Sequence, residues 1–159
     1  MTGVSEHDRG LPRIRAAAGV LFFDAWDRVM IVDPVYKEPW EVPGGAVEAD
    51  ESPRAGARRE VCEELGLDVE PGRLLCVDWT GPRPERSKAI VMLFDGGQLS
   101  AEQLEVIRLQ PEELRAFEFA TADQLDKRLI PLLARRVKAG IDARGREMTV
   151  YLENGSAVG

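Results

Sequence analysis

The chain is poor in the residues that many metal sites and nucleophilic sites require. Its 159 residues include one histidine, His7, and two cysteines, Cys62 and Cys76. His7 falls in a stretch predicted to be a flexible leader, which argues against histidine-ligated zinc and against a Ser–His or Cys–His dyad. Two cysteines do not make a disulfide framework, and reduced core thiols are the favoured interpretation. Acid–base or metal chemistry must therefore come mainly from carboxylates.

Long apolar runs and an excess of positive charge are also missing. No apolar run approaches the roughly 20 residues of a membrane span, and residues 1–13 contain no apolar core of a signal peptide. Lys and Arg total 21 against 28 Asp and Glu, a formal charge of −7, so a long nucleic acid is not an expected partner. These features predict a cytoplasmic protein without a membrane partner. A small anionic ligand fits this charge if a metal ion accompanies it.

The length and the order of elements predict one α/β (α+β) domain over residues 14–153, between a flexible leader at 1–13 and a tail at 154–159. Strands are predicted at 14–23, 29–32, 74–80, 89–94 and 148–152, and short extended stretches at 40–42 and 116–119. Helices are predicted at 53–65 and 129–139, with a helical turn at 122–127. Pro43, Gly44 and Gly45 are expected to end the extended stretch at 40–42. In the last helix, Arg135, Arg136 and Lys138 are expected to face outward. Strands interspersed with helices predict a mixed sandwich.

The helix predicted at 53–65 has clear end signals. Ser52 is a good N-cap, and Pro53 takes the first helical position, where its missing N–H costs nothing. Gly66 is suited to the left-handed residue that ends a helix. The helix should therefore carry its polar side chains in a fixed arrangement.

Three carboxylates share one face of that helix. Glu60, Glu63 and Glu64 stand at i, i+3 and i+4, within a sector of roughly 100°. They repel one another near the helix C-terminus, where the macrodipole also disfavours anions, and only Arg59 offers local relief. A solvated acidic face is one interpretation. The other is a missing cation, since Mg²⁺ and Mn²⁺ prefer such oxygen ligands.

The glycines near this helix favour the metal interpretation. Gly44 and Gly45 permit close backbone approach just before the helix. Gly56 lies one turn before Glu60 on the same face and leaves room for the preceding loop. Glu51, outside the helix start, can reach back into that loop.

The same segment resembles the Nudix box, whose pattern is G-x5-E-x7-R-E-U-x-E-E-x-G-U with U a bulky aliphatic residue. All nine defined positions fit within the 23 residues from Gly45 to Leu67, which makes the match highly specific. They are Gly45, Glu51, Arg59, Glu60, Val61, Glu63, Glu64, Gly66 and Leu67. The resemblance implies a Nudix-like α/β/α sandwich with a mixed β-sheet.

The resemblance also implies an activity and roles for the residues. A Nudix enzyme hydrolyses a phosphoanhydride bond of a nucleoside diphosphate derivative with a divalent metal, here Mg²⁺ with Mn²⁺ as the alternative. By position, Glu60, Glu63 and Glu64 would bind the metal and Arg59 would orient the carboxylates. Glu51, Gly44 and the backbone of Gly45 would support the loop and complete the site.

The general base and the substrate stay open at this point. The family's base can be a box glutamate or a later loop glutamate, and Glu113, six residues before Phe119, resembles the second arrangement. Glu112, Glu102 and Glu105 are rivals. Arg83 and Arg86 could hold a phosphate, and Pro82 lies near a proline common in family members that act on ADP-ribose. Both an ADP-ribose-like nucleoside diphosphate sugar and a nucleoside triphosphate remain candidate substrates.

Two questions concern the whole molecule. A non-catalytic Nudix-fold module that binds or senses nucleotides is the alternative function, and loss of a metal-binding glutamate would favour it. No such glutamate is lost. A small-molecule nucleotide is the expected partner, and a homodimer stays open.

Overall fold

The computed structural model describes residues 3–158, in which five helices surround one eight-stranded sheet. The helices are α1 (Glu6–Arg9), α2 (Pro53–Leu65), α3 (Ala101–Val106), α4 (Ala122–Arg128) and α5 (Pro131–Gly145). The strands are β1 (Arg15–Phe23), β2 (Val29–Pro34), β3 (Gly44–Ala46), β4 (Leu74–Thr80), β5 (Ala89–Gln98), β6 (Leu114–Ala120), β7 (Val150–Glu153) and β8 (Ser156–Ala157).

The sheet is mixed, as the sequence predicted. Its strand order is β6-β2-β1-β5-β4-β7-β8, and β3 pairs with the first half of β1. The pairs β1–β5 and β4–β7 are parallel, while the other pairs are antiparallel. The predicted hairpin between β1 and β2 is confirmed, with Phe23 opposite Val29.

Helices cover both faces of the sheet, which confirms the predicted α/β/α sandwich. Along β1, Val20 and Phe22 pack in the core on the α2 side, while Leu21 and Phe23 pack in the core with α4 and α5. Because β1 is buried on both faces, its residues form an almost continuous apolar run. The predicted caps of α2 are also present: Ser52 accepts a hydrogen bond from the Ala55 N–H, and Gly66 is left-handed.

Gly44 and Gly45 do not end a strand, contrary to the prediction. They form β3, in which Gly44 lies opposite Gly19 and Gly45 opposite Ala18. Gly44 has φ +147°, and a Cβ there would lie 2.3 Å from the Ala18 carbonyl oxygen. The lack of a side chain thus lets this segment lie directly against β1 and continue the sheet.

The prediction for α5 was wrong in two respects. The helix begins at Pro131 and continues to Gly145, past Gly140, which is buried against Leu21 of the sheet. Arg136 does not face outward but is buried, because Asp78 of β4 lies under the helix and accepts its Nε–H at 2.7 Å. The charged partner that makes this burial tolerable is 58 residues away in the chain.

Helix α3 was not predicted, although Ser100 and Gln103 form a capping box at its start. Short elements also occur in the segments predicted as leader and tail, namely α1 and β8. Within residues 3–158, none of the helices combines the length and apolar character needed to cross a membrane.

Candidate active site

An ion pair between Arg59 and Glu51 holds the loop before α2 against the helix. Arg59 donates from Nη2 to Glu51 Oε1 at 2.7 Å and from Nε to Glu51 Oε2 at 3.0 Å. It also donates to the Ala46 carbonyl at 3.1 Å, while Glu51 accepts from the Glu48 N–H. These hydrogen bonds lower the pKa of Glu51 to about 2 and raise the pKa of Arg59. Glu51 is therefore a permanent anion that fixes the guanidinium.

Two glycines leave space for the carboxylates of this segment. A Cβ on Gly45 would lie 2.7 Å from the Glu60 carboxyl carbon, and one on Gly56 would lie 2.8 Å from Glu51 Oε1. Contacts this short are not available to a real side chain. The glycines thus allow β3 and the loop that follows it to approach the acidic face of α2.

Glu64 is the most buried of the three helix carboxylates, with 6% of its surface exposed. Its Oε1 accepts the Gly44 N–H at 2.8 Å. Burial, with added repulsion from Glu60, Glu113 and Glu41, raises the pKa of Glu64 to about 8 despite that hydrogen bond. A carboxylate in this position is poorly stabilised as an anion by the protein alone.

Glu60 and Glu63 lie on either side of the Arg59 guanidinium. Arg59 Nη1 donates to Glu60 Oε1 at 3.1 Å and to Glu63 Oε2 at 3.2 Å. Glu60 is half-buried, and burial raises its pKa although Arg59 opposes the shift. Glu63 is exposed. The single charge of Arg59 is therefore shared among Glu51, Glu60 and Glu63, while Glu64 is bound by the Gly44 N–H.

The chemistry of this donor set suits a hard divalent cation. Three carboxylates supply the oxygen ligands that Mg²⁺ and Mn²⁺ prefer, and a bound cation would offset the cost of ionising buried Glu64. Among the described residues, no three acidic, histidine or cysteine side chains already converge as a metal-binding group. Binding would therefore require the carboxylate side chains of Glu60, Glu63 and Glu64 to rotate toward a common point.

A cleft of about 580 Å³ opens beside Glu64, Gly44 and Gly45. Of its seven charged lining residues, two are acidic, Glu41 and Glu64, and five are basic: Arg15, Lys37, Arg83, Arg86 and Arg136. Arg136 is paired with Asp78 and Lys37 with Glu41. The remaining cations, Arg15, Arg83 and Arg86, favour an anionic ligand at this place in a chain with a formal charge of −7.

Arg83 and Arg86 lie on a tight turn at the cleft. Each backbone N–H donates to the carbonyl of the other residue, at 3.0 and 2.9 Å. Both side chains are exposed and line the cleft. The turn thus carries two cations to the position where the sequence analysis expected a phosphate contact.

The structure brings one of the candidate bases close to the carboxylates. The charge of Glu113, just before β6, acts on the pKa values of both Glu60 and Glu64. Its backbone joins β2 through the Val35 N–H, which donates to the Glu113 carbonyl. Glu102 and Glu105 lie on α3, whereas the main repelling charges on Glu64 are those of Glu60, Glu113 and Glu41.

Sequence reasoning missed Glu41 and Tyr36. Both line the cleft, and Lys37 donates a hydrogen bond to Glu41. Burial, with repulsion from Glu41 and Glu64, raises the pKa of Tyr36. No motif marks either residue, since their proximity to Glu64 arises from the loop that precedes β3.

Comparison with known proteins identifies the class to which this fold and site belong. The model of the NUDIX domain matches residues 13–140, so the chain belongs to the NUDIX family. A MutT-like protein of Streptomyces ambofaciens is 32% identical over 106 residues, which cover 67% of this chain and 63% of that protein. Diphosphoinositol polyphosphate phosphohydrolase 2 of Rattus norvegicus is 37% identical over 87 residues, covering 54% of this chain and 49% of the relative. The chain therefore spans less than two thirds of the length of either relative.

Solved structures support the fold assignment. The NUDIX domain of Shewanella oneidensis NrtR, in complex with ADP ribose, superposes with a TM-score of 0.65 at 16% identity. The match covers 88% of this chain and 92% of that one. At this identity the likeness establishes the shared fold.

Proposed function

We propose that the protein hydrolyses a phosphoanhydride bond of a nucleoside diphosphate derivative with the help of a divalent metal ion. The observation that carries this proposal is the buried carboxylate of Glu64 at the border of a cleft lined by five basic residues. A cation at Glu64 and basic side chains beyond it would together hold a chain of phosphates. One relative supports the class of bond, because it is named diphosphoinositol polyphosphate phosphohydrolase 2.

Glu60, Glu63 and Glu64 would hold the metal, for which we propose Mg²⁺ with Mn²⁺ as the alternative. A metal ion bound there supplies charge neutralisation on phosphate oxygens and lowers the pKa of a bound water. Arg59, fixed by Glu51, would keep Glu60 and Glu63 within reach of the cation. Arg83 and Arg86 would bind phosphate oxygens through charge-assisted hydrogen bonds.

Glu113 is our candidate for the residue that accepts the proton of the attacking water. Its side chain is exposed, and its charge acts on Glu60 and Glu64, so its carboxyl group lies beside the site. A glutamate of α2 is the alternative base. The two assignments differ in the effect expected from a substitution at Glu113.

The test is a turnover assay on the purified chain with ADP-ribose, a UDP-sugar, nucleoside triphosphates and a diphosphoinositol phosphate. Each would be measured with Mg²⁺, with Mn²⁺ and with a chelator, and isotopically labelled water would identify the phosphorus that is attacked. We expect metal-dependent cleavage at a phosphoanhydride bond. Glu102→Gln, on exposed α3, is the matched control for Glu64→Gln.

Binding of these nucleotides without turnover of any of them would contradict the proposal. It would support the non-catalytic module that binds or senses nucleotides. Turnover that is undiminished by the chelator and by Glu64→Gln would contradict the assigned metal site.

We also propose a cytoplasmic location, in which Cys62 and Cys76 stay reduced. Both are free thiols, one exposed and one buried. Thiol labelling of the protein from freshly lysed cells should find both in the reduced form once the chain is unfolded.

A further inference from the structure

Arg136 is a buried arginine that the proposed hydrolysis does not use. It lies on α5 with 8% of its surface exposed, and it lines the cleft. Its Nε donates to Asp78 Oδ2 at 2.7 Å, and its Nη2 donates to Thr80 Oγ1 at 2.9 Å. Asp78 and Thr80 are two residues apart on β4, so both face the helix. The guanidinium is thereby held in one orientation.

Part of this guanidinium remains open to the cleft. Among the described residues Nη1 makes no hydrogen bond, and no buried side-chain nitrogen or oxygen lacks a partner. Nη1 therefore contacts solvent, and the cleft is the space that Arg136 lines. A guanidinium has five N–H groups, of which two are engaged here.

Asp78 already balances the charge of Arg136, whereas not all of the N–H groups of the guanidinium are hydrogen-bonded. Asp78 is fully buried, and its second oxygen accepts the Gly155 N–H at 3.0 Å. This carboxylate thus neutralises the arginine and has no oxygen to offer a ligand. Thr80 Oγ1 accepts from Arg136, so its own O–H can donate. Arg136 and Thr80 consequently present donors to the cleft while Asp78 balances the arginine charge.

The surroundings of these donors suit a flat ring. The same cleft is lined by small or apolar residues: Ala17 of β1, Ala89 and Val91 of β5, and Leu132 and Leu133 of α5. The exposed cations Arg83 and Arg86 lie at the turn after β4 and line the same cleft. An apolar pocket with a few convergent polar groups is typical of a binding site for a heteroaromatic group.

We infer that Arg136 and Thr80 form a base-reading pair that selects a nucleotide whose base presents two adjacent acceptors, such as a 6-oxopurine. A 6-oxopurine offers O6 and N7 to paired N–H donors, whereas adenine places an N6 amino donor beside N7. Adenine would therefore place its N6 amino donor next to a donor of Arg136 or Thr80 in an apolar pocket. This inference rests on the proposed function, since it names the base of the substrate that the same cleft would take.

The test measures binding of GMP, IMP and AMP by titration calorimetry. These monophosphates have no phosphoanhydride bond, so the measurement does not depend on turnover. We expect GMP and IMP to bind on the order of tenfold more tightly than AMP. In Arg136→Lys the cation still pairs with Asp78 but the fork of donors is lost, and the preference should fall below about twofold. Arg135→Lys, at the exposed neighbouring position, should keep it.

Thr80→Val provides a second variant if Arg136→Lys does not fold. It leaves the ion pair in place and removes one donor, so the preference for GMP over AMP should shrink. Equal affinity of the wild type for GMP and AMP would overturn the inference. So would an Arg136→Lys variant that binds GMP, AMP and inorganic phosphate more weakly by the same factor, because that result identifies an anion site.

The outcomes also separate this inference from the proposed function. Hydrolysis of guanine and adenine nucleotides at equal rates, with equal binding of GMP and AMP, would contradict the base-reading pair and leave the hydrolase intact. Selective binding of GMP without turnover of any nucleoside diphosphate derivative would contradict the hydrolase and leave the base-reading pair intact.

Discussion

Glu64→Gln should change the stability of the metal-free protein and its catalytic activity in opposite directions. The substitution removes an ionisable group that is 6% exposed. Its amide oxygen can still accept the Gly44 N–H that Glu64 accepts at 2.8 Å. We therefore expect the fold to persist.

The gain in stability depends on pH, with a sign that follows from the pKa. The pKa of Glu64 rises from an ordinary 4.5 to about 8 in the folded chain. Below about pH 4.5 the carboxyl is protonated in both the folded and the unfolded state. Between the unfolded pKa of 4.5 and the folded pKa of about 8, only the unfolded state loses the proton. The free energy of unfolding of the wild type therefore falls by about 1.4 kcal/mol per pH unit. From pH 5 to pH 8 this amounts to on the order of 4 kcal/mol.

Urea unfolding in a chelator at pH 5 and pH 8 measures this difference. The free energy of unfolding of Glu64→Gln should not show the fall from pH 5 to pH 8 that the wild type shows. Glu102→Gln should show the same fall as the wild type. Saturating Mg²⁺ should reduce the difference, since a cation stabilises the ionised form of Glu64. With Mg²⁺ and an active substrate, the kcat of Glu64→Gln should fall on the order of 100-fold or more, because a metal ligand is lost.

Two results would refute this reasoning. A difference in unfolding free energy between wild type and Glu64→Gln that does not grow from pH 5 to pH 8 would show that Glu64 is not a destabilised carboxylate. Near-wild-type turnover by both Glu63→Gln and Glu64→Gln would show that the assigned metal site is wrong.

Three further substitutions address the base, the phosphate contacts and the loop. Glu113→Gln should lower kcat with little change in KM if Glu113 takes the proton from water, and should be nearly silent in steady-state kinetics if a glutamate of α2 does so. Arg83→Glu or Arg86→Glu should raise KM for polyphosphate substrates by up to on the order of 10- to 100-fold; an unchanged KM for every active substrate would exclude this turn as the phosphate contact. Gly45→Ala should weaken metal binding measured by calorimetry, because its Cβ would lie 2.7 Å from the Glu60 carboxyl carbon; unchanged metal affinity would contradict a role for that close approach.

Much of the candidate site was predictable because it is local in sequence. The spacing of Arg59, Glu60, Glu63 and Glu64 places them together on any helix, and Ser52 and Gly66 determine where that helix begins and ends. The glycine positions also had a local signal, since a Cβ at Gly45 or Gly56 would displace the carboxylate of Glu60 or Glu51. Regular periodicity and end signals were thus sufficient to predict α2 and the placing of its carboxylates on one face.

The cleft and the orientation of α5 were decided by tertiary structure alone. A run of Arg135, Arg136 and Lys138 looks uniformly solvated until Asp78, 58 residues before Arg136, is placed beneath the helix. The proximity of Glu41 and Glu113 to Glu64 likewise depends on strand pairing between distant segments. The sequence alone determined which residues could hold a cation, because helical spacing is local. Only the packing of distant strands and helices decided which charges are buried, and hence which donors face a ligand, because desolvation and ion pairing depend on neighbours in space.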